Sequence, residues 1–159
     1  MKVRGIWAVA LLAAVSACSG HDAAASAGNE AARAGQVTVT IASATGKHVF
    51  RVDTAKTEAE QQRGLMYRTG IPADGGMLFY PYPPDGSAPR EASFWMKNTP
   101  SPLDIIYIRG DRTIARIAEN TVPFSEAPIP SGEPVAAVLE INGGRAAELG
   151  IAEGDKVSW

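Results

Sequence analysis

The run from Phe94 to Ile108 restricts the folds open to this chain more than any other stretch. It begins like a buried strand at Phe94-Trp95-Met96 and breaks into the polar loop Lys97-Asn98-Thr99-Pro100-Ser101-Pro102. It then resumes as Leu103 to Ile108, apolar but for Asp104. Each proline fixes its own φ and restricts the residue before it, so the loop joining the two strands is stiff.

The chain around this run has the same short-strand character. Val37, Val39 and Ile41 alternate with Thr38 and Thr40, Ser43 to Gly46 reads as a turn, and Val49 to Val52 as the returning strand of a hairpin. Thr57 followed by Glu60 is a capping box that opens a helix from Glu58 to about Met66. Gly75-Gly76 leads into a buried strand, Met77 to Tyr80, and the proline-rich segment 81–91 reads as a surface loop. Gly110-Asp111 turns the chain into Thr113 to Ala118, where Ile114 and Ile117 share a strand face only across a bulge. Residues 120–134 form a second proline-rich crossing. Val135 to Ile141 is a strand buried on much of both faces. Gly143-Gly144 opens a short helix, Arg145 to Leu149, with Gly150 just past its end, and Lys156 to Trp159 is a last strand. The expected fold is mainly β: a compact β-barrel or sandwich of about seven short strands with two short helices.

Residues 1–18 stand outside that domain. Lys2 and Arg4 precede an apolar run, Ile6 to Val15, that falls short of the roughly 20 residues a membrane-spanning helix needs. The run ends in Val15-Ser16-Ala17-Cys18, which resembles the lipobox of bacterial lipoproteins, and Cys18 is the sole cysteine of the chain. A lone cysteine in an exported protein has no internal disulfide partner. The expectation is a lipoprotein signal peptide, lipidation of Cys18, and a membrane anchored through it. Ser19 stands where an aspartate would resemble an inner-membrane retention signal. In a Gram-negative cell the protein would therefore face the periplasm from the outer membrane. Residues 19–36 carry no large apolar side chain and read as a tether to a single domain, 37–159.

Charge narrows the function. With Lys2 and Arg4 in the signal peptide, thirteen Lys and Arg remain against seventeen Asp and Glu, a net −4. Basic residues are scattered, so no nucleic-acid footprint is present, and there is no glycine-rich phosphate loop. No cofactor is expected.

Five runs occur together: Gly64-Leu65-Met66-x-Arg68, Gly76-Met77-Leu78-Phe79, Phe94-Trp95-Met96-Lys97-Asn98-Thr99, Pro102-Leu103-Asp104-Ile105 and Leu139-Glu140-Ile141-Asn142-Gly143-Gly144. In this order they resemble the bacterial and archaeal family named domain of unknown function 192, over roughly residues 48–158. The resemblance implies a mainly β fold and carries no assigned activity or catalytic residue.

The chemistry-bearing residues support several readings. Trp95, Lys97, Asn98 and Asp104 on or beside the stiff loop, with Arg68 and Glu140, are candidates to line one pocket for a small polar ligand or an envelope partner. In the structural alternative Trp95 is core and Asp104 pairs with Lys97 or Arg68. Asp104 and Glu140 in one cleft would instead suit a hydrolase, glycoside hydrolysis for example. Met66, Met77 and Met96 are ordinary core fillers, or a thioether site for Cu(I) completed by His48 and capped by Trp95. A serine hydrolase lacks its Gly-x-Ser-x-Gly elbow, and zinc lacks a His/Cys cluster. The last alternative is an envelope protein with no ligand at all.

Overall fold

Strand register decides which side chains meet in this molecule. The computed structural model describes residues 1–2 and 35–159, so Cys18, the signal peptide and all but the end of the tether lie outside the described residues. The elements are β1 (Gln36–Ser43), β2 (Gly46–Ala55), α1 (Glu58–Arg63), β3 (Gly76–Phe79), β4 (Arg90–Phe94), β5 (Leu103–Ile108), β6 (Ile114–Ala118), β7 (Ile129–Val135), β8 (Ala137–Asn142), α2 (Arg145–Leu149) and β9 (Lys156–Ser158). The fold is mainly β, as expected.

Seven strands form one sheet in the order β6-β5-β8-β3-β2-β1-β9, antiparallel except for β2 and β3, which run parallel and are joined through α1. The two edges of this sheet meet. Thr113 bridges Lys156, and the Val157 N–H donates to the Arg112 carbonyl at 2.9 Å, so the sheet rolls into a nearly closed barrel. Closure of this kind removes the exposed edges at which sheets aggregate. Side chains alternate along each strand. One set, including Phe50, Val52, Leu78, Ile106, Leu139 and Ile141, fills the barrel. The other set on β3, β5 and β8, including Met77, Phe79, Ile105, Tyr107 and Val138, points outward and is covered by a second layer. These three strands are buried on both faces, and for that reason read as unbroken apolar runs.

The covering layer is the two-stranded sheet β4–β7, which the proline-based reading of 81–91 and 120–134 did not anticipate. Pro130 and Pro134 lie inside β7, opposite Ser93 and Glu91 of β4. Proline is tolerated there because both strands of a two-stranded ribbon are edges. The expected bulge is present as a register shift between Tyr107 and Ile108. It lets Ile114 oppose Ile108 and Ile117 oppose Ile106, so both isoleucines face the interior. Helix α1 has the expected capping box: the Glu60 N–H donates to the Thr57 hydroxyl at 3.3 Å and the Thr57 N–H to the Glu60 carboxylate at 2.8 Å. The helix stops at Arg63, earlier than expected, because Gly64 at φ 47° and ψ −133° leaves the helical region.

Candidate functional site

On the outward face of the barrel, Cα pairing sets Glu140 of β8 beside Met77 of β3 and Ile105 of β5. β3 approaches β8 closely here: a Cβ on Gly76 would lie 2.1 Å from the Glu140 carbonyl oxygen. Only glycine permits that approach. Above Glu140 the outer layer leaves a gap. The exit of β2, helix α1, the 81–89 loop, β4 and the loop 95–99 surround an open cavity of about 990 Å³.

Phe79, Tyr82, Phe94 and Trp95 give the cavity wall an aromatic patch among mostly polar side chains. Phe94 meets the Phe79 ring edge-on at a centroid distance of 5.0 Å, with Tyr82 6.0 Å from Phe94. Trp95, 46 % exposed, stands at the mouth with the Lys97 ammonium 5.0 Å from its ring centroid. Lys97 also lies 3.8 Å from the Glu126 carboxylate. Asn98 has φ 55°, a left-handed conformation rare outside glycine, and its carbonyl accepts the Tyr67 N–H at 2.8 Å. This ties the loop to the chain leaving α1.

Glu140 is 4 % exposed and lines this cavity, and its carboxyl has no hydrogen-bond or ion-pair partner among the described residues. Burial alone pushes its pKa up to about 8, so it is mostly protonated at neutral pH. A second orphan lies in the same wall. Gln61 donates through its side-chain nitrogen to the Ala55 and Pro81 carbonyls, and its Oε1 is buried with no partner.

The six proposed pocket residues divide. Trp95, Lys97, Asn98 and Glu140 line the cavity; Asp104 and Arg68 do not. Asp104 pairs across the sheet with Ile141, and Glu140 with Ile105. Adjacent residues of a strand point to opposite faces, so the two carboxyls lie on opposite sides of the sheet. Asp104 is fully buried at the entry to α2. One oxygen accepts the N–H of Asn120 at 2.7 Å and of Gly144 at 2.8 Å; the other accepts the Ala146 N–H at 2.7 Å. It pairs with neither Lys97 nor Arg68; backbone amides take the place of a cation. Arg68 is paired with Asp53 and borders a separate groove with Gln36 and Tyr67.

The methionines of the alternative thioether set do not meet in the cavity. Met66 lines it and receives a long 3.9 Å contact from the Asn98 amide. Met77 and Met96 are buried in the outer core, the Met96 sulfur taking the Thr121 hydroxyl at 3.1 Å. His48 sits at the β1–β2 hairpin, its Nε2 2.9 Å from the Ser43 hydroxyl. Tyr82, Gln61, Arg63 and Arg90 were not singled out in sequence, and Phe79 and Phe94 stood there only as strand residues of the quoted runs, although Arg63 immediately precedes the Gly64-Leu65-Met66 run.

A nearly closed barrel of this kind, with a second layer over one face and an open cleft between them, defines a small mainly-β domain. The chain belongs to the DUF192 family, described as uncharacterized ACR, whose model matches residues 39–159. It is similar to a crystallised protein of unknown function from Novosphingobium aromaticivorans DSM 12444, with 51 % identity and a TM-score of 0.73. That match covers 78 % of this chain and 85 % of the other. It is also similar to a candidate transcription regulator from Sinorhizobium meliloti 1021, at 43 % identity and TM-score 0.71, over 77 % and 92 % of the two chains. No curated protein matches the chain.

Proposed function

We propose that this protein is an exported lipoprotein, held to a membrane through Cys18, whose cavity binds a small polar ligand without transforming it. The unpartnered Glu140 carboxyl carries the binding part of this reading. Burying a polar group without a partner costs about 1–3 kcal/mol. Such groups concentrate where a ligand supplies the missing hydrogen bond. The cavity's size is that of small-molecule sites, and Phe79, Tyr82, Phe94 and Trp95 give it apolar surface beside its many polar groups.

A protonated carboxyl in a cleft also suits a general acid. Hydrolysis by a carboxylate pair needs a second carboxyl poised beside Glu140: Asp104 faces the other side of the sheet, and Glu58 and Asp85, the other carboxylates of the cavity, are exposed at its mouth and engaged with Gln62 and Ser87. Binding without turnover is therefore the better reading. A ligand-observed NMR fragment screen tests it. Binders are expected, and Ser93→Trp, which fills the mouth from an exposed position of β4, should abolish them while moving the melting temperature by less than about 2 °C. Binders that Ser93→Trp leaves untouched would place the ligand elsewhere.

The lipoprotein part rests on Lys2, Arg4, the apolar run Ile6 to Val15 and the Val-Ser-Ala-Cys ending. Cys18→Ser is expected to release the protein from the membrane fraction or to leave an unprocessed precursor. Wild-type protein recovered in soluble form with a free Cys18 thiol would contradict it.

A further inference from the structure

We infer that the ligand of this cavity is a small organic anion, its apolar body against Phe79, Phe94 and Tyr82, its charge among the rim cations, and one of its oxygens hydrogen-bonded by Glu140. The inference rests on the cavity reading above and adds the chemical class of the ligand.

Four cations border the cavity from four elements of the fold: Lys56 after β2, Arg63 on α1, Arg90 on β4 and Lys97 on the loop after it. Two exposed carboxylates, Glu58 and Asp85, oppose them. Both acids already accept local hydrogen bonds, Glu58 from Gln62 at 3.1 Å and Asp85 from the Ser87 N–H at 2.9 Å. Lys56, Arg63 and Arg90 have no ion-pair partner among the described residues. The mouth thus carries excess positive charge, and focusing of field lines in a cleft favours an anion there.

The floor fits the same class. Two phenols share this face with Glu140: Tyr107 of β5, buried and held protonated by desolvation, and Tyr82, which lines the cavity. Arg116, opposite Tyr107 on β6, donates to the Pro130 carbonyl, and burial is what acts on Glu140, so no cation among the described residues compensates its ionised form, whereas its protonated form is a hydrogen-bond donor lining the cavity. A cationic ligand would have to ionise Glu140 and pass a mouth where, with Lys97 against Glu126, the cations Lys56, Arg63 and Arg90 still outnumber the carboxylates Glu58 and Asp85. An anion meets attraction at the mouth and a donor at the floor.

The test uses the full chain and three probes sharing one ring: benzoate, benzyl alcohol and benzylamine, titrated calorimetrically and by Trp95 fluorescence. Benzoate is expected to bind at least about tenfold more tightly than benzylamine near pH 6.5. Its affinity should fall about fivefold or more towards pH 9 as Glu140 ionises, since only the protonated form donates. Glu140→Gln, a donor that does not ionise, should flatten that profile. The double change Arg63→Gln with Arg90→Gln should weaken benzoate about tenfold and leave benzyl alcohol unchanged. Tighter binding of benzylamine, or benzoate affinity that rises with pH, would overturn the anion assignment and leave the cavity reading standing. If none of the probes binds and the fragment screen is also empty, the cavity reading falls with it.

Discussion

Asp104→Ala is expected to destabilise the domain by about 3–5 kcal/mol, seen as a loss of urea midpoint and melting temperature. The carboxylate is fully buried and accepts the N–H groups of Asn120, Gly144 and Ala146, from two separate segments of chain. Truncation leaves the buried Ala146 N–H and the partly buried Asn120 and Gly144 N–H groups without their acceptor, each costing of the order of 1 kcal/mol or more, and opens a void besides. Asn120 is held at φ 46°, a left-handed conformation that its bond to Asp104 helps to fix. The β8–α2 turn has little room to adjust, because a Cβ on Gly143 would lie 2.9 Å from the Pro102 carbonyl carbon. Asp104→Asn should cost less than alanine, since the amide keeps one acceptor. Amide exchange should show the loss locally, with protection falling first at Asn120, Gly144 and Ala146. Below its unfolding temperature the asparagine variant should bind cavity ligands as wild type does. A stability change below about 1 kcal/mol, or lost binding in a fully folded variant, would contradict this structural role.

Glu140→Gln should act in the opposite direction. The folded pKa of about 8 lies above the ordinary glutamate value of 4.5. Between those values the native state holds a proton that the unfolded chain has released, so stability falls as pH rises from about 4.5 to 8. Glutamine does not titrate and escapes that loss. The variant is therefore expected to be more stable than wild type by about 2–4 kcal/mol at pH 8, with the gap closing towards pH 4.5. Paired melting curves across this range would show a difference that grows with pH. A constant offset, or a variant weaker at pH 8, would mean that Glu140 is solvated or paired in solution. A carboxyl at a position where the fold would be better without it is what a ligand-contacting residue predicts.

These two carboxyls show what the sequence by itself determined. Each interrupts an apolar strand, and that pattern marked both as unusual. Composition, the capping box at Thr57, the bulge required by Ile114 and Ile117, and the Gly143-Gly144 entry to α2 were all legible, because they are decided within a few residues by φ/ψ limits, hydrogen-bond reach and side-chain alternation. The five runs that carry the family resemblance lie within the matched region, and four of them contribute residues to the cavity.

What only the tertiary structure decided is which side of the sheet each residue faces and what lies over it. One strand cannot say whether its alternate residues point into the barrel or out of it. The pairing of β5 with β8 settles this, placing Asp104 within the barrel layer and Glu140 outside it. The prolines of 120–134 read as loop because local rules count the hydrogen bond that proline cannot donate. They cannot know that β7 has a free edge where none is needed. The β4–β7 ribbon, and with it the cavity between ribbon, helix and barrel, depends on contacts between residues about 40 apart in sequence, such as Ala92 and Ser131. Long-range pairing of that kind is set by the packing of the whole domain, and no local pattern encodes it.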